Sequence, residues 1–114
     1  MDLDIDVRKL ENCVLITVNG EIDLYSVKQL KERITYEIED HKPPKFVMDL
    51  NSVRYIDSTG LGILIGIKRR CSEKGGELLL VFDSERITNL FNITGLHNVF
   101  TILTTVDEAA GRFA

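Results

Sequence analysis

The fold of this chain is organised around one stretch, Ile56-Asp57-Ser58-Thr59-Gly60-Leu61-Gly62, which we call the central turn. A strand-like apolar run, residues 46–50, precedes it, and a second apolar run, residues 61–67, follows it. Two glycines and two hydroxyl side chains lie where a helix should begin, as is typical of helix starts. We therefore predict a strand-to-helix turn that the rest of the chain holds at the surface.

Hydrophobic periodicity predicts the other elements. Apolar and polar residues alternate in residues 3–7 and 14–18, which indicates an antiparallel hairpin. Near-continuous apolar runs at 45–50 and 78–82 indicate strands buried on both faces, and helical spacing marks residues 25–40 and 58–73. Ser84 and Thr105 can each cap a shorter helix, and a last strand is expected at 99–103.

The predicted order is β-β-α-β-α-β-α-β-α, which places the chain in the α/β class. We expect one domain over residues 1–114, with a mixed, mostly parallel sheet of about five strands, four helices and an N-terminal antiparallel hairpin. The βα turns of such a sheet gather at the carboxyl ends of its strands. Acids lie near three of these ends, so the central turn should be surrounded by carboxylates: Glu21 and Asp23, Asp49 and Asp57, and Asp83.

Length and charge narrow the function classes. A chain of 114 residues with 44% hydrophobic and 28% charged residues is typical of one globular domain. The net charge is -4, and the densest basic run, residues 68–70, is offset by Glu73. A nucleic-acid-binding protein would concentrate Lys and Arg on one face, so we expect no direct nucleic-acid binding.

Cysteines and apolar runs indicate the compartment. Cys13 and Cys71 lie far apart without C-x-x-C spacing, so we expect buried free thiols and neither a metal site nor a redox pair. Residues 1–4 are acidic where a signal peptide would be basic, and the apolar run 61–67 is too short to span a bilayer. These features favour a cytoplasmic protein without membrane association.

Ser58 is the candidate reactive group of the central turn. At a helix start its hydroxyl could accept a hydrogen bond from a free backbone N–H, which would hold the side chain near the surface. A phosphate there would be favoured by about 0.3–1 kcal/mol through those N–H groups and the helix dipole, and Asp57 would oppose it. Phosphorylation would add about -1.5 to -2 charges, enough to disrupt docking onto an acidic or apolar partner.

Three other interpretations compete for the same residues. A serine nucleophile needs a general base, and nothing in the sequence directs His41 or His97 towards Ser58. A phosphate-binding loop needs more glycines and a following lysine, so Gly60 and Gly62 are a weak signal. In the simplest alternative Ser58 only caps a helix, and Gly60, Gly62 and Gly66 only allow the helix to pack close to the sheet.

A longer motif resembles a known family. Residues 47–62, VMDLNSVRYIDSTGLG, resemble the signature of the bacterial anti-sigma-factor antagonists, which are small STAS domains. Residues 20–23, GEID, resemble the second motif of that family. The length and the order of elements agree over essentially the whole chain. The central motif is fairly specific for STAS domains and less specific for one role among them.

The resemblance implies partner switching. In the family, the unphosphorylated antagonist binds an anti-sigma factor that is also a serine kinase, and so frees the sigma factor. The kinase phosphorylates the serine after the motif's Asp, which is Ser58 here, and a PP2C-type phosphatase with its own metal ions restores the active form. Asp23 matches the family's acidic residue near that serine. Thr59 stands where many members have a second serine, so it is a second candidate phosphoacceptor.

The resulting hypothesis is a regulatory binding protein without cofactors of its own, in which the kinase binds ATP. Its phosphorylation site is Ser58, and its partner-binding residues are Asp23, Asp57, Thr59, Gly60, Leu61 and Gly62. Asp23 and Asp57 would help to position the kinase or keep the local potential negative, and Leu61 would offer apolar contact at an exposed helix start. One alternative is a non-switching STAS subunit of a stress-signalling complex or membrane transporter, and an enzyme is the third. The sequence leaves the oligomeric state open.

Overall fold

The computed structural model describes residues 3–114, which form a five-stranded sheet in the order β1-β2-β3-β4-β5. β1 is antiparallel to β2, and every other neighbouring pair is parallel. This confirms the predicted α/β class, the mixed sheet and the N-terminal hairpin. The elements are β1 Asp4–Lys9, β2 Val14–Ile22, α1 Val27–Asp40, β3 Lys45–Ile56, α2 Ser58–Glu73, β4 Glu77–Val81, α3 Glu85–Ile93, β5 Thr101–Leu103 and α4 Val106–Gly111, with a 3-10 turn at Leu96–Asn98.

Helices cover both faces of the sheet. Alternate side chains of β3, such as Phe46 and Met48, pack in the larger cluster with apolar residues of α1, α2 and α3. Val47 lies between them and packs on the opposite face with Ala109 of α4. β3 is therefore buried on both sides, which explains its near-continuous apolar sequence.

The two central strands are longer than their sequences indicated. β2 and β3 remain paired through Gly20↔Val53 to Ile22↔Ile56, beyond the predicted ends at residues 18 and 50. Register shifts occur on both sides of Asn19-Gly20, and Gly20 has a φ of 126°. The Asn-Gly pair thus kinks β2 and does not end it, because a glycine can take the positive φ that the irregularity requires. This extension carries the central turn beyond the end of β4.

Three other boundaries also differ. α1 begins at Val27, two residues after the predicted start, so Leu24 and Tyr25 belong to the preceding loop. β4 is shifted by one residue to Glu77–Val81, and β5 is limited to Thr101–Leu103. α2 spans Ser58–Glu73 as predicted.

The thiols are buried as the sequence indicated. Cys13 lies in the α4-side cluster and Cys71 in the cluster on the opposite face, and neither forms a disulfide. Burial raises the pKa of the Cys71 thiol to about 11, although the neighbouring Arg70 lowers it somewhat. Burial also raises the pKa of Cys13. Within residues 3–114, the helices are too short or too polar to traverse a bilayer.

Candidate functional site

The central turn joins the adjacent ends of β2 and β3 to the start of α2. Ile22 and Ile56 are paired at the end of the parallel ladder, and the N–H of Asp57 donates to the Ile22 carbonyl at 3.1 Å. Asp57 is the N-cap of α2, with an extended backbone and Oδ1 accepting from the Gly60 N–H at 2.8 Å. The strand end and the helix start are thus joined through one aspartate.

The expectation that Ser58 caps the helix is wrong. An N-cap residue needs a non-helical backbone, and Asp57 holds that position while Ser58 is already the first helical residue. The side chain of Ser58 is exposed, and so is that of Thr59. No side chain among residues 3–114 accepts from the N–H of either residue, and helix geometry leaves both groups without an intrahelical acceptor. An exposed hydroxyl therefore lies beside two free backbone donors.

Asp57 also fixes the neighbouring loop. Its second oxygen, Oδ2, accepts from the N–H of Leu24 at 3.1 Å, although the two residues are 33 positions apart in sequence. Both carboxylate oxygens of Asp57 are thereby bonded to backbone N–H groups, which offsets part of the negative charge next to Ser58. The loop after β2 and the start of α2 consequently form one surface.

Asp23 organises that loop from within. Its Oδ1 accepts from the N–H groups of Tyr25 and Ser26, at 3.0 and 3.1 Å. Ser26, buried, donates through Oγ to the Glu21 carbonyl at 2.6 Å and does not cap α1 through its side chain. The sequence offers Asp23 and Ser26 as possible caps of α1. Ser26 occupies the N-cap position without a side-chain capping bond, and the side chains of both residues shape the loop that Asp57 holds.

Of the two glycines in the turn, only Gly60 is needed for close packing. A Cβ atom on Gly60 would lie 2.5 Å from the Ile22 carbonyl oxygen and 2.9 Å from Cγ2 of Ile56. A Cβ atom on Gly62 would meet nothing within 4 Å, and the same holds for Gly66. The idea that the glycines let the helix approach the sheet is therefore correct for Gly60 and wrong for the other two.

The apolar contact surface differs from the predicted one. Leu61 is only 7% exposed and packs in the core, so the expectation of apolar contact through Leu61 is wrong. Leu24 and Tyr25 are instead 64% and 85% exposed in the loop that Asp57 holds. Leu24 stands at helical spacing from Val27, which favours the buried face of a helix, but α1 begins only at Val27.

A second apolar surface borders the start of the central turn. An open groove of about 640 Å³ runs between the end of β3 and α3, and Ile56, the first residue of the central turn, lines it. Tyr55 and Ile93 are its exposed apolar residues, at 49% and 85%. The central turn thus contacts the exposed apolar loop through Asp57 and borders the apolar groove through Ile56.

The other candidate polar residues lie elsewhere. Asp49 is inside β3, where its Oδ1 accepts from the backbone and side-chain nitrogens of Asn51. His97 makes a 3.3 Å contact from Nδ1 to the Phe91 carbonyl, and His41 pairs with Glu37 at the far end of α1. The structure therefore does not gather all the strand-end acids, and the contacts of the two imidazoles do not include Ser58.

Comparison with known proteins identifies the family. The model of the STAS domain matches residues 4–109, which is most of the chain. The chain belongs to the STAS domain family.

Two curated relatives of this STAS protein share a name. The chain is 37% identical over 102 residues to an anti-sigma-B factor antagonist of Bacillus subtilis, covering 90% of this chain and 92% of that protein. An anti-sigma-B factor antagonist of Staphylococcus aureus is 34% identical and covers 90% of this chain and 94% of its own. The crystal structure of an anti-sigma factor antagonist from Mycobacterium paratuberculosis is 25% identical, with a TM-score of 0.87 over 97% of this chain and 93% of that one.

Proposed function

We propose that this STAS protein, as a single domain of residues 1–114, is a cytoplasmic anti-sigma-factor antagonist that works by partner switching. In its unphosphorylated form it binds an anti-sigma factor that is also a serine kinase, and phosphorylation of Ser58 ends the complex. The observation that carries the proposal is the exposed Ser58 hydroxyl at the first position of α2, beside a loop fixed by Asp57. The names of the curated relatives support the same role.

The local charges permit a phosphate at this position without loss of the fold. Free N–H groups and the helix dipole favour an anion at a helix N-terminus by about 0.3–1 kcal/mol. Asp57 opposes it less than a free carboxylate would, because both its oxygens accept backbone hydrogen bonds. Phosphorylation should therefore leave the fold of the turn intact and change only the surface charge that faces a partner.

The residues around Ser58 explain how the charge of a phosphate would weaken partner binding. Leu24 and Tyr25 are exposed apolar side chains in the adjoining loop, so a partner that covers them also comes close to Ser58. A phosphate carrying about -1.5 to -2 charges at the edge of an apolar contact must lose hydration when the partner docks. The complex is then weakened without any rearrangement of the antagonist.

The remaining predicted residues take different roles in this proposal. Gly60 and Asp57 hold the turn, and Thr59 and Gly62, both exposed, lie within the docking surface. Asp23 shapes the adjoining loop. The kinase binds ATP and a PP2C-type phosphatase uses its own metal ions, so the chain acts as a substrate and ligand of other proteins.

The test uses the cognate anti-sigma kinase, ATP and mass spectrometry. Phosphate is expected on Ser58, and Ser58→Ala should bind the kinase but resist release by ATP, whereas Ser58→Asp should bind weakly. Thr59→Ala should leave the release intact and so separates the two hydroxyls. A chain that acquires phosphate on neither residue would refute the switch, and equal binding of Ser58→Asp would favour a fixed STAS interface of a larger complex or transporter.

A pair of exposed tyrosines tests the docking surface. Tyr25 lies in the loop beside Ser58 and is 85% exposed, while Tyr36 is 63% exposed further along α1. Tyr25→Ser should weaken kinase binding, and Tyr36→Ser should not, whereas both should leave the free energy of unfolding nearly unchanged. Equal effects on binding would place the interface elsewhere.

A further inference from the structure

Three metal-ligating atoms converge at the C-terminal end of α1, away from the central turn. Nε2 of His41 lies 3.3 Å from Oε1 of Glu37 and 3.7 Å from Oδ2 of Asp40. All three ligand atoms lie within 4.8 Å of one another. The residues are spaced i, i+3 and i+4, so the last turn of the helix and its C-cap bring them together.

The charges at this cluster leave a cation position open. Glu37 is only 4% exposed, and its Oε2 accepts from Nε of Arg33 at 3.0 Å. Its other oxygen, Oε1, faces the His41 ring and is not used by Arg33. Nε2 of His41 faces the carboxylates of both Glu37 and Asp40, but a single proton on Nε2 can be donated mainly to one of them. A divalent cation between the three atoms would satisfy all of them at once.

We propose that Glu37, Asp40 and His41 form a binding site for a divalent transition-metal ion of the zinc type. Imidazole nitrogen and carboxylate oxygen bind Zn²⁺ at about 2.0–2.2 Å, so tetrahedral ligands lie about 3.4 Å apart. The two distances from His41 are close to that value, and Asp40, with a side chain 58% exposed, is free to adjust. Three protein ligands leave the fourth position open to water or to a partner's side chain.

Arg33 has two opposing effects at this site. Its hydrogen bond to Oε2 fixes the orientation of the Glu37 carboxylate, as partners of metal ligands commonly do. Its positive charge also opposes a cation nearby, which makes the expected affinity modest. The proposed metal site involves neither Ser58 nor its loop. A test of metal binding is therefore independent of whether the protein works by partner switching.

The chain contains two histidines, and the second provides a matched control. The full-length, untagged protein would be titrated with ZnCl₂ by calorimetry, and with CoCl₂ by visible absorption to detect tetrahedral coordination. One ion per chain is expected, with affinity lowered about tenfold or more in both His41→Gln and Asp40→Asn. His97→Gln should bind like the unmodified protein, because the polar contact of the His97 ring within residues 3–114 is with the Phe91 carbonyl.

Asp40→Asn keeps the test decisive if His41→Gln fails to fold, since the Asp40 side chain is exposed and its loss leaves the buried Glu37 contacts in place. Absence of zinc binding would overturn the proposal. Equal binding in Asp40→Asn and His97→Gln would indicate adventitious surface binding only and would overturn it as well.

Discussion

The two glycines of the central turn offer a sharp test of its packing. In Gly60→Ala, the new Cβ would lie 2.5 Å from the Ile22 carbonyl oxygen and 2.8 Å from Cγ2 of Ile22. Overpacking of this kind destabilises by about 1–3 kcal/mol. The upper end applies here, because the Ile22 carbonyl also accepts the 3.1 Å bond from Asp57 and cannot move without lengthening it. Subtracting the helical advantage of alanine, about 0.5–1 kcal/mol, leaves a net loss of about 2 kcal/mol.

Gly62→Ala is the matched control, two residues further along the same helix. Its Cβ would meet nothing within 4 Å, so only the helical advantage remains, and stability should rise by about 0.5–1 kcal/mol. Urea denaturation of both variants measures the free energy of unfolding, and thermal melts should show Gly60→Ala about 8 °C lower than the unmodified protein. Shifts of the same sign in the two variants would refute the inferred close approach of α2 to β2.

Two further predictions concern the cap and a buried thiol. Asp57→Ala removes the N-cap hydrogen bond from Gly60 and the hydrogen bond from Leu24. The free energy of unfolding, measured by urea denaturation, should therefore fall by about 1–2 kcal/mol. An unchanged denaturation midpoint would contradict the capping role. The folded Cys71 thiol has a pKa of about 11, above its ordinary value of 9.0, so the folded state retains the thiol proton between these two pH values. The protonated Cys71 thiol should contribute fully to the free energy of unfolding below pH 9, and this contribution should decline as the pH rises towards 11. Cys71→Ala should lack that part of the decline. Parallel pH profiles of stability for the two proteins would contradict the burial effect.

Most of the architecture was predictable from residues close together in sequence. The alternation in the hairpin, the two-faced burial of β3 and the capping role of Thr105 all depend on short-range patterns, and each is confirmed. The ends of β2 and β3 were not predictable in this way. Each strand supports the other beyond the point where its own hydrophobic pattern weakens, because parallel pairing satisfies the backbone of both.

The sequence by itself determined the class of fold, the order of its elements, the family motif and the choice of Ser58, since these depend on local periodicity and residue type. Only the tertiary structure decided what surrounds Ser58. Asp57 caps the helix and accepts a hydrogen bond from Leu24 across 33 positions, Gly60 is the glycine of the central turn that packs against a carbonyl, and Leu61 is buried. These are contacts between distant segments, set by how α2 and the β2 loop meet the sheet, and no short-range pattern encodes them.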